Sequence, residues 1–194
     1  MKTTELSKLN RLYFGYEDLA RVLDIGQASA RVTASRYVRQ GLLLRVKRNL
    51  YVLKARLIAA GREELFLLAN LGQSPSYISL ATALAYYEIT TQVQRDFIES
   101  IAVKRTREIR MNGTVYQYTR IKNSLYFGFE KQKGFFIATP EKAFLDAMYL
   151  ASFGRYALDL ASIDAGKLDR NKLKQMGKNF PIKTRQFLKK HGYL

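Results

Sequence analysis

The sequence predicts an α+β protein with an N-terminal domain of residues 1–56 and a C-terminal domain of residues 57–194. Three patterns lead to this class. Residues 16–53 show two helical apolar patterns, followed by two short apolar runs that a basic turn separates. Residues 97–138 are rich in β-branched and aromatic residues and contain Asn-Gly, which favours an antiparallel sheet. The pattern then becomes helical, so we expect a mixed α/β C-terminal domain that ends in helices.

The composition indicates a polyanionic partner. The 194 residues carry a formal net charge of +17, with 33 Lys and Arg against 16 Asp and Glu. Such a charge attracts nucleic acid but does not give sequence specificity by itself. The absence of cysteine fits a reducing cytoplasm. The N-terminus lacks the apolar segment of a signal peptide, and no apolar run is long enough to cross a bilayer. We therefore expect a soluble cytoplasmic protein without a membrane partner.

The N-terminal domain is predicted to begin with two helices. Leucines recur at three-residue spacing in residues 3–12, which predicts a first helix there. A second helix is predicted to begin near Tyr16 and to end at Asp-Ile-Gly, residues 24–26. Gly26 is expected to take the positive φ that a tight turn between helices requires.

A third helix is predicted over residues 27–40, with Gly41 at its C-terminal end. The small residues Ala30 and Ala34 fall on one face of this helix, and the opposite face has no acidic residue. Two strands are predicted next, joined by a basic turn at residues 47–49. Helices, turn and hairpin in this order are typical of a winged helix-turn-helix, in which the last helix lies in the DNA major groove.

We therefore expect the third helix and the hairpin tip to bind double-stranded DNA. Arg31 and Arg36 are the candidates for bidentate contacts with guanine. Arg39, Lys47 and Arg48 are the candidates for contacts with phosphate. The predicted DNA-binding residues are Gln27, Ser29, Arg31, Thr33, Ser35, Arg36, Arg39, Lys47, Arg48 and Asn49.

The predicted C-terminal domain combines helices and short strands. The expected elements are helices over residues 62–71, 79–88 and 139–151, and strands around residues 98–103, 115–121, 125–129 and 135–138. Ser79 is expected to cap the second of these helices. Thr139 and Pro140 begin the third, because a hydroxyl cap followed by proline suits a helix N-terminus.

The end of the chain is strongly basic. Nine basic residues and one acidic residue follow Gly166, among them Lys174, Lys178, Lys189 and Lys190. Two interpretations remain open. The lysines form the solvated face of ordinary helices, or they form an electrostatic surface for nucleic acid.

The residue inventory disfavours an enzyme, and we expect no catalytic residue, metal site or cofactor. His191 is the sole histidine and there is no cysteine, so neither a zinc site nor a Ser-His-Asp arrangement can form in the usual way. Glu141 and Asp146 fall on different faces of one predicted helix, where helix capping and an internal ion pair are the favoured roles. Asp96 and Glu99 are interpreted as a surface pair in preference to a shared metal site.

Three motifs occur in order along the chain: NLYV at residues 49–52, YISLATAL at residues 77–84 and IATPEKAFLD at residues 137–146. Together with the predicted winged helix-turn-helix, they resemble the AbiEi-type antitoxins of bacterial abortive-infection toxin–antitoxin systems. The resemblance covers nearly the whole chain. Two features depart from the family pattern: Asn49-Leu50 replaces a common glycine before the tyrosine of the hairpin, and Tyr87-Glu88 replaces a common His-Gly pair.

The resemblance implies two functions. The N-terminal domain is expected to bind inverted repeats in the promoter of its own operon, with two copies on the DNA, and to repress it. The C-terminal domain is expected to neutralise a nucleotidyltransferase-like toxin without a stable complex, and off DNA we expect a monomer or weak self-association. The lysines at positions 174, 178, 189 and 190 are the candidate surface for this neutralisation. The alternative is a stand-alone winged-helix regulator whose second domain binds a ligand or mediates assembly.

Overall fold

The computed structural model describes residues 4–9, 11–92 and 94–194, and its elements agree with the predicted α+β class. The chain begins with a short 3-10 helix, Thr4–Lys8, followed by α1 (Tyr16–Leu23) and α2 (Gln27–Arg39). An antiparallel hairpin of β1 (Leu43–Lys47) and β2 (Leu50–Leu53) comes next. The predicted helices and hairpin of this region are therefore confirmed from Tyr16 onward.

The first predicted helix differs from the prediction in type and extent. In the described part of residues 3–12, which omits residues 3 and 10, a 3-10 helix spans Thr4–Lys8. Leu6 and Leu9 are buried. A spacing of three residues matches the three residues per turn of a 3-10 helix, whereas an α-helix requires alternation of three and four.

The turn between α1 and α2 depends on an aspartate and not on the predicted glycine. Asp24 has a φ of 51°, and Gly26 has a φ of −65° and precedes the first residue of α2. Aspartate tolerates the left-handed region better than most residues because its short polar side chain forms local hydrogen bonds. The prediction that Gly26 supplies the positive φ is therefore wrong.

The β1–β2 hairpin contributes to two hydrophobic cores. Leu43 and Tyr51 belong to the core that α1 and α2 share with the 3-10 helix. Val46, Leu50 and Val52 belong to the larger core, whose other buried residues lie between Leu57 and Leu188. Alternate side chains of a strand point to opposite faces, so Tyr51 packs on one side of β2 and its two neighbours pack on the other.

The rest of the chain forms one six-stranded sheet with helices around it. The elements are α3 (Lys54–Ile58), α4 (Arg62–Gly72), β3 (Ser76–Ile78), α5 (Leu80–Tyr86), β4 (Phe97–Ala102), β5 (Arg107–Met111), β6 (Thr114–Arg120), β7 (Phe129–Gln132), β8 (Phe135–Ala138), α6 (Pro140–Ser152), α7 (Arg170–Gly177) and α8 (Ile182–Lys190). The strand order is β5-β6-β4-β3-β8-β7. The hairpins β5–β6 and β7–β8 are antiparallel, as predicted.

The sheet is mixed and not purely antiparallel. β4 pairs with β6 in parallel, and β3 pairs with β8 in parallel. The chain reaches the sheet edge at β5 before it returns as β6, so β6 runs in the same direction as β4. The order and direction of the strands in a mixed sheet depend on pairing between segments that are far apart in the chain, so local turn signals do not predict them.

The strand predicted over residues 125–129 lies further along the chain. A 3-10 helix spans Asn123–Leu125, and β7 covers Phe129–Gln132. The turn to β8 consists of Lys133 and Gly134, which both have positive φ. β7 is the edge strand and contains Glu, Lys and Gln, as edge strands often do, so no apolar pattern marks it. The short strand β3 was not predicted.

Helix α6 lies at the centre of the C-terminal core. The hydroxyl of Thr139 accepts a hydrogen bond from the backbone N–H of Lys142, and Pro140 is the first helical residue, as predicted. Residues 141–150 are all buried because α5, α7, α8 and β8 surround the helix. The burial includes Lys142 and Asp146, which form an ion pair with no exposed side-chain area.

Ser79 does not cap α5, although it precedes the first residue of that helix. Its hydroxyl donates to Asp146 at 2.9 Å, and no side-chain cap bond forms at the start of α5. Tyr77 also donates to Asp146 at 2.9 Å, and the ammonium of Lys142 donates to the Tyr77 oxygen at 2.8 Å. The cap prediction is wrong because the Ser79 side chain is directed to the buried carboxylate, where a charge-assisted hydrogen bond is stronger than a neutral cap bond.

A second buried carboxylate, Glu99, lies on β4 and contacts the start of α5. The hydroxyl of Tyr156 donates to Glu99 at 3.1 Å, and the backbone amides of Ala81 and Thr82 also bond to it. Burial raises the pKa of Glu99 from 4.5 to about 7, and the hydrogen bonds oppose this rise. The prediction of a surface pair with Asp96 is wrong, because Glu99 is buried and Asp96 is exposed.

We expect Glu99→Gln to stabilise the protein at pH 8 by up to about 3 kcal/mol and to change stability little at pH 5. The folded-state pKa exceeds the unfolded value, so protonation of Glu99 stabilises the fold below pH 4.5. This contribution is lost as the pH rises through about 7. Glutamine stays neutral at both pH values. Urea unfolding of both proteins at the two pH values measures the difference, and an equal difference at both would contradict the assignment.

Candidate nucleic-acid interface

Helix α2 has one buried face and one exposed face. Ala30, Ala34 and Tyr37 are buried against the N-terminal core. The two alanines allow α2 to lie close to α1, because small side chains permit a short distance between helix axes. The helix contains no acidic residue, so its exposed face presents only neutral and basic side chains.

The structure places most of the predicted DNA-binding residues on the protein surface. Those on α2 that are exposed are Gln27, Ser29, Arg31, Ser35, Arg36 and Arg39, and those at the hairpin tip are Lys47 and Arg48. Thr33 and Asn49 are half-buried. Thr33 lies at the boundary between the buried and exposed faces of α2.

Arg31 and Arg36 lie at opposite margins of the exposed face. They are five positions apart, which at 3.6 residues per turn separates them by roughly 140° around the helix. The guanidinium of Arg36 lies over the ring of Tyr37, with its central carbon 5.6 Å from the ring centroid. Arg31 is close enough to Tyr51 to lower the pKa of that phenol, against the larger effect of burial. The two arginines therefore flank the face.

The centre of the exposed face is formed by Ala28, Val32, Ser35 and Arg39. Val32 was not among the predicted DNA-binding residues; it is 68% exposed, which is unusual for a valine. An exposed valine at this place offers an apolar contact for the methyl group of thymine. The signal was available, because a helical wheel places residues 28 and 32 opposite the buried alanines.

The side chain of Ser35 has its proton engaged within the helix. Its hydroxyl donates to the carbonyl of Arg31 at 3.1 Å. The hydroxyl oxygen still has a free lone pair, so Ser35 can accept a hydrogen bond but does not have its own proton to donate. Its predicted part in DNA binding is thereby limited to that of an acceptor.

Asn49 ties the hairpin tip to the start of α1. Its side-chain oxygen accepts from the backbone N–H of Tyr16 at 2.6 Å, and its side-chain nitrogen donates to Glu17 at 3.3 Å. Its φ of 54° closes the turn between β1 and β2, as predicted. Because both ends of the amide are engaged, Asn49 shapes the tip and is better assigned to structure than to DNA contact.

Lys47 and Arg48 are both exposed beside this anchored asparagine. Arg45 donates to the carbonyl of Lys47 at 3.4 Å, which further fixes the turn. Glu17 bonds to Asn49, and Asp18 pairs with Arg11 and Arg21. The tip therefore presents two cations that form no ion pair with any described residue, on a backbone that its neighbours hold in place.

The predicted basic surface near the C-terminus divides into two parts. Lys174, Lys178 and Lys189 line one groove between α7 and α8, together with Arg185. Lys190 is exposed but does not line this groove. His191 is exposed, and its ring lies 4.6 Å from that of Phe187.

The two carboxylates of α6 have separate partners. Glu141 accepts a hydrogen bond from the backbone N–H of Asp169 at 3.2 Å, and Asp146 pairs with Lys142 as predicted. In residues 4–9, 11–92 and 94–194, no group of three His, Cys, Asp or Glu side chains is placed to hold a metal ion. No helix among the same residues is long and apolar enough to span a bilayer.

Comparison with known proteins shows similarity in structure but no family. No protein-family model matches the chain, and no curated protein matches it. Its structure is similar to that of the RV2827C protein from Mycobacterium tuberculosis, with a TM-score of 0.60 and 12% sequence identity. The match covers 95% of this chain and 72% of that protein. At this identity the likeness concerns the fold alone.

Proposed function

We propose that α1, α2 and the β1–β2 hairpin form a winged helix-turn-helix that binds double-stranded promoter DNA. The observation on which the proposal rests is the exposed face of α2, which has no acid, an apolar centre at Val32 and an arginine at each margin. A helix of this width fits the major groove, where both hydrogen bonding and apolar contact distinguish base pairs.

In the proposed complex each part of the interface has its own role. Arg31 and Arg36 donate to guanine on the two sides of the groove, and Val32 contacts a thymine methyl between them. Lys47 and Arg48 contact the phosphate backbone beside α2 and fix the position of the helix. Two copies bind the two arms of an inverted repeat and repress transcription of the operon that encodes the protein.

We expect Lys47→Ala with Arg48→Ala to weaken binding to promoter DNA and to random DNA by similar factors. Removing two phosphate contacts lowers the slope of log affinity against log salt by about 1.8. Fluorescence anisotropy over a range of salt concentrations measures both quantities. Lys104→Ala with Arg105→Ala is the matched control, since this adjacent Lys-Arg pair is exposed in the turn after β4. A loss confined to promoter DNA, or an equal loss in the control, would show that the tip does not contact phosphate.

We further propose that residues 57–194 neutralise a nucleotidyltransferase-like toxin without forming a stable complex with it, as in AbiEi-type antitoxins. The support is that two of the motifs behind this resemblance meet in space. Tyr77 and Ser79 of the YISLATAL motif donate hydrogen bonds to Asp146 of the IATPEKAFLD motif, and Lys142 of the latter motif donates to Tyr77. Two segments that are distant in sequence thus form one buried network, which gives a physical reason for the two motifs to occur together.

The antitoxin proposal predicts growth rescue that is independent of DNA binding. We expect a nucleotidyltransferase-like gene beside the gene for this chain, and the test is to express that gene with and without this protein. We expect co-expression to restore growth, and Arg31→Ala with Arg36→Ala to restore it equally, because α2 takes no part in neutralisation. Absence of rescue by the folded wild-type protein would contradict the antitoxin function and leave a DNA-binding regulator.

A further inference from the structure

The groove between α7 and α8 is a strongly basic cavity. It has a volume of about 680 Å³, and its lining includes Lys174, Lys178, Arg185 and Lys189 but no acidic residue. Neither helix contains an acid. In the described part of the chain none of these four cations forms an ion pair.

The arrangement of these cations is unfavourable without an anion. Lys174 lies on α7 and Lys178, four positions further on, is the residue that follows the helix end, whereas Arg185 and Lys189 are four positions apart on α8. Like charges at this spacing repel each other along a helix. Here two such pairs also line a common groove, so that each helix adds to the repulsion of the other. A bound polyanion would remove this repulsion.

Arg185 supplies an independent observation. Its Nε atom is buried and has no hydrogen-bond partner among the described residues. A buried donor without an acceptor is costly, and most such groups in folded proteins are paired. Arginine is also suited to phosphate because its planar group presents several donors at once. Arg185 lines the groove, so a shift of its side chain toward a bound phosphate would give this donor an acceptor.

The groove has an apolar part as well. Ile182, which is 64% exposed, and Leu194, whose side chain lies beside Gly177, both line it. Free inorganic phosphate would use only the cations. A ligand that joins several phosphates to a flat, weakly polar ring system would use both parts, and a groove of this size accommodates one such small molecule.

We infer that the α7–α8 groove binds a nucleoside triphosphate. The triphosphate contacts Lys174, Lys178, Arg185 and Lys189, whose four positive charges match its charge of about −4 at neutral pH. The base lies against Ile182 and Leu194. This site is formed by residues other than the proposed DNA interface and does not depend on it.

The test is isothermal titration calorimetry on the full-length protein with ATP, GTP, CTP and UTP in turn. We expect at least one of them to bind, adenosine not to bind, and inorganic triphosphate to bind at least tenfold more weakly than the best nucleotide. Lys178→Gln with Lys189→Gln is expected to weaken nucleotide binding at least tenfold. Lys172→Gln with Lys183→Gln removes two exposed charges that lie on the same helices but outside the groove. We expect this control variant to change the affinity for the nucleotide less than twofold.

A second variant tests the apolar part. Ile182→Ser is expected to weaken nucleotide binding at least threefold and to leave the binding of inorganic triphosphate unchanged. The inference would be overturned if none of the four nucleotides binds, or if inorganic triphosphate binds as tightly as they do. Equal losses in the groove variant and its control would also overturn it, as would tighter binding of a short single-stranded oligonucleotide. Circular dichroism verifies that each variant is folded.

Discussion

Replacing Asp146 by alanine is expected to lower the free energy of unfolding by about 3–5 kcal/mol, because it leaves the ammonium of Lys142 buried without its counter-charge. Neither side chain has any exposed area. Burial raises the pKa of Asp146 and lowers that of Lys142, and the attraction between the two charges opposes both changes. Typical domains are stable by only about 5–15 kcal/mol, so the loss is a large fraction of the total.

The aromatic rings of Tyr77, Phe127 and Phe180 surround the ammonium of Lys142 at 5.1–5.5 Å and soften the loss, but they do not replace a carboxylate. Urea unfolding at pH 7 measures the change. The double variant Lys142→Met with Asp146→Leu is the matched control, and we expect it to be more stable than Asp146→Ala because no charge stays buried. A loss below about 1 kcal/mol for Asp146→Ala would show that the pair contributes little.

The second large effect concerns DNA. Arg31→Ala with Arg36→Ala is expected to weaken promoter binding by at least about 30-fold, since each bidentate contact with guanine contributes roughly 1–3 kcal/mol. Both side chains are exposed, so the protein should unfold at the same urea concentration as the wild type. Competition between labelled promoter DNA and random DNA, followed by fluorescence anisotropy, measures the loss of selectivity.

Lysine substitution separates base contact from charge at the same two positions. Arg31→Lys with Arg36→Lys keeps both charges but loses the planar donor pair. We expect this variant to bind random DNA as the wild type does and to lose most of its preference for the promoter. For Arg31→Ala with Arg36→Ala, the charge-matched control is Arg105→Ala with Arg170→Ala, which removes two exposed arginines elsewhere. Unchanged promoter preference in both α2 variants would mean that these arginines do not contact bases.

The elements that the sequence predicted well are those with strong local signals. Helix α2 ends before Gly41, which has a φ of 71°, and α6 begins at Thr139 and Pro140. Such caps depend on neighbouring residues only, so they are visible in the sequence. The mixed strand order and the short strand β3 depend on residues far apart in the chain, and no local pattern predicts them.

Among the functional and buried polar residues, too, those marked by local periodicity could be predicted and those with distant partners could not. The exposed basic residues of α2 followed from helical periodicity, and Val32 would have followed from the same wheel. The roles of Asn49 and Glu99 could not be predicted in this way. Asn49 bonds to Tyr16 across 33 positions, and Glu99 bonds to Tyr156 across 57 positions. Only the folded chain brings these partners together.

The central claim is that this protein recognises its own promoter through α2, and one measurement tests it most directly. The wild-type protein is titrated against its own promoter fragment and against random DNA of equal length at physiological salt. We expect the promoter to bind at least about a thousandfold more tightly, with two copies of the protein on each inverted repeat. Equal affinity for the two DNA fragments would contradict the account.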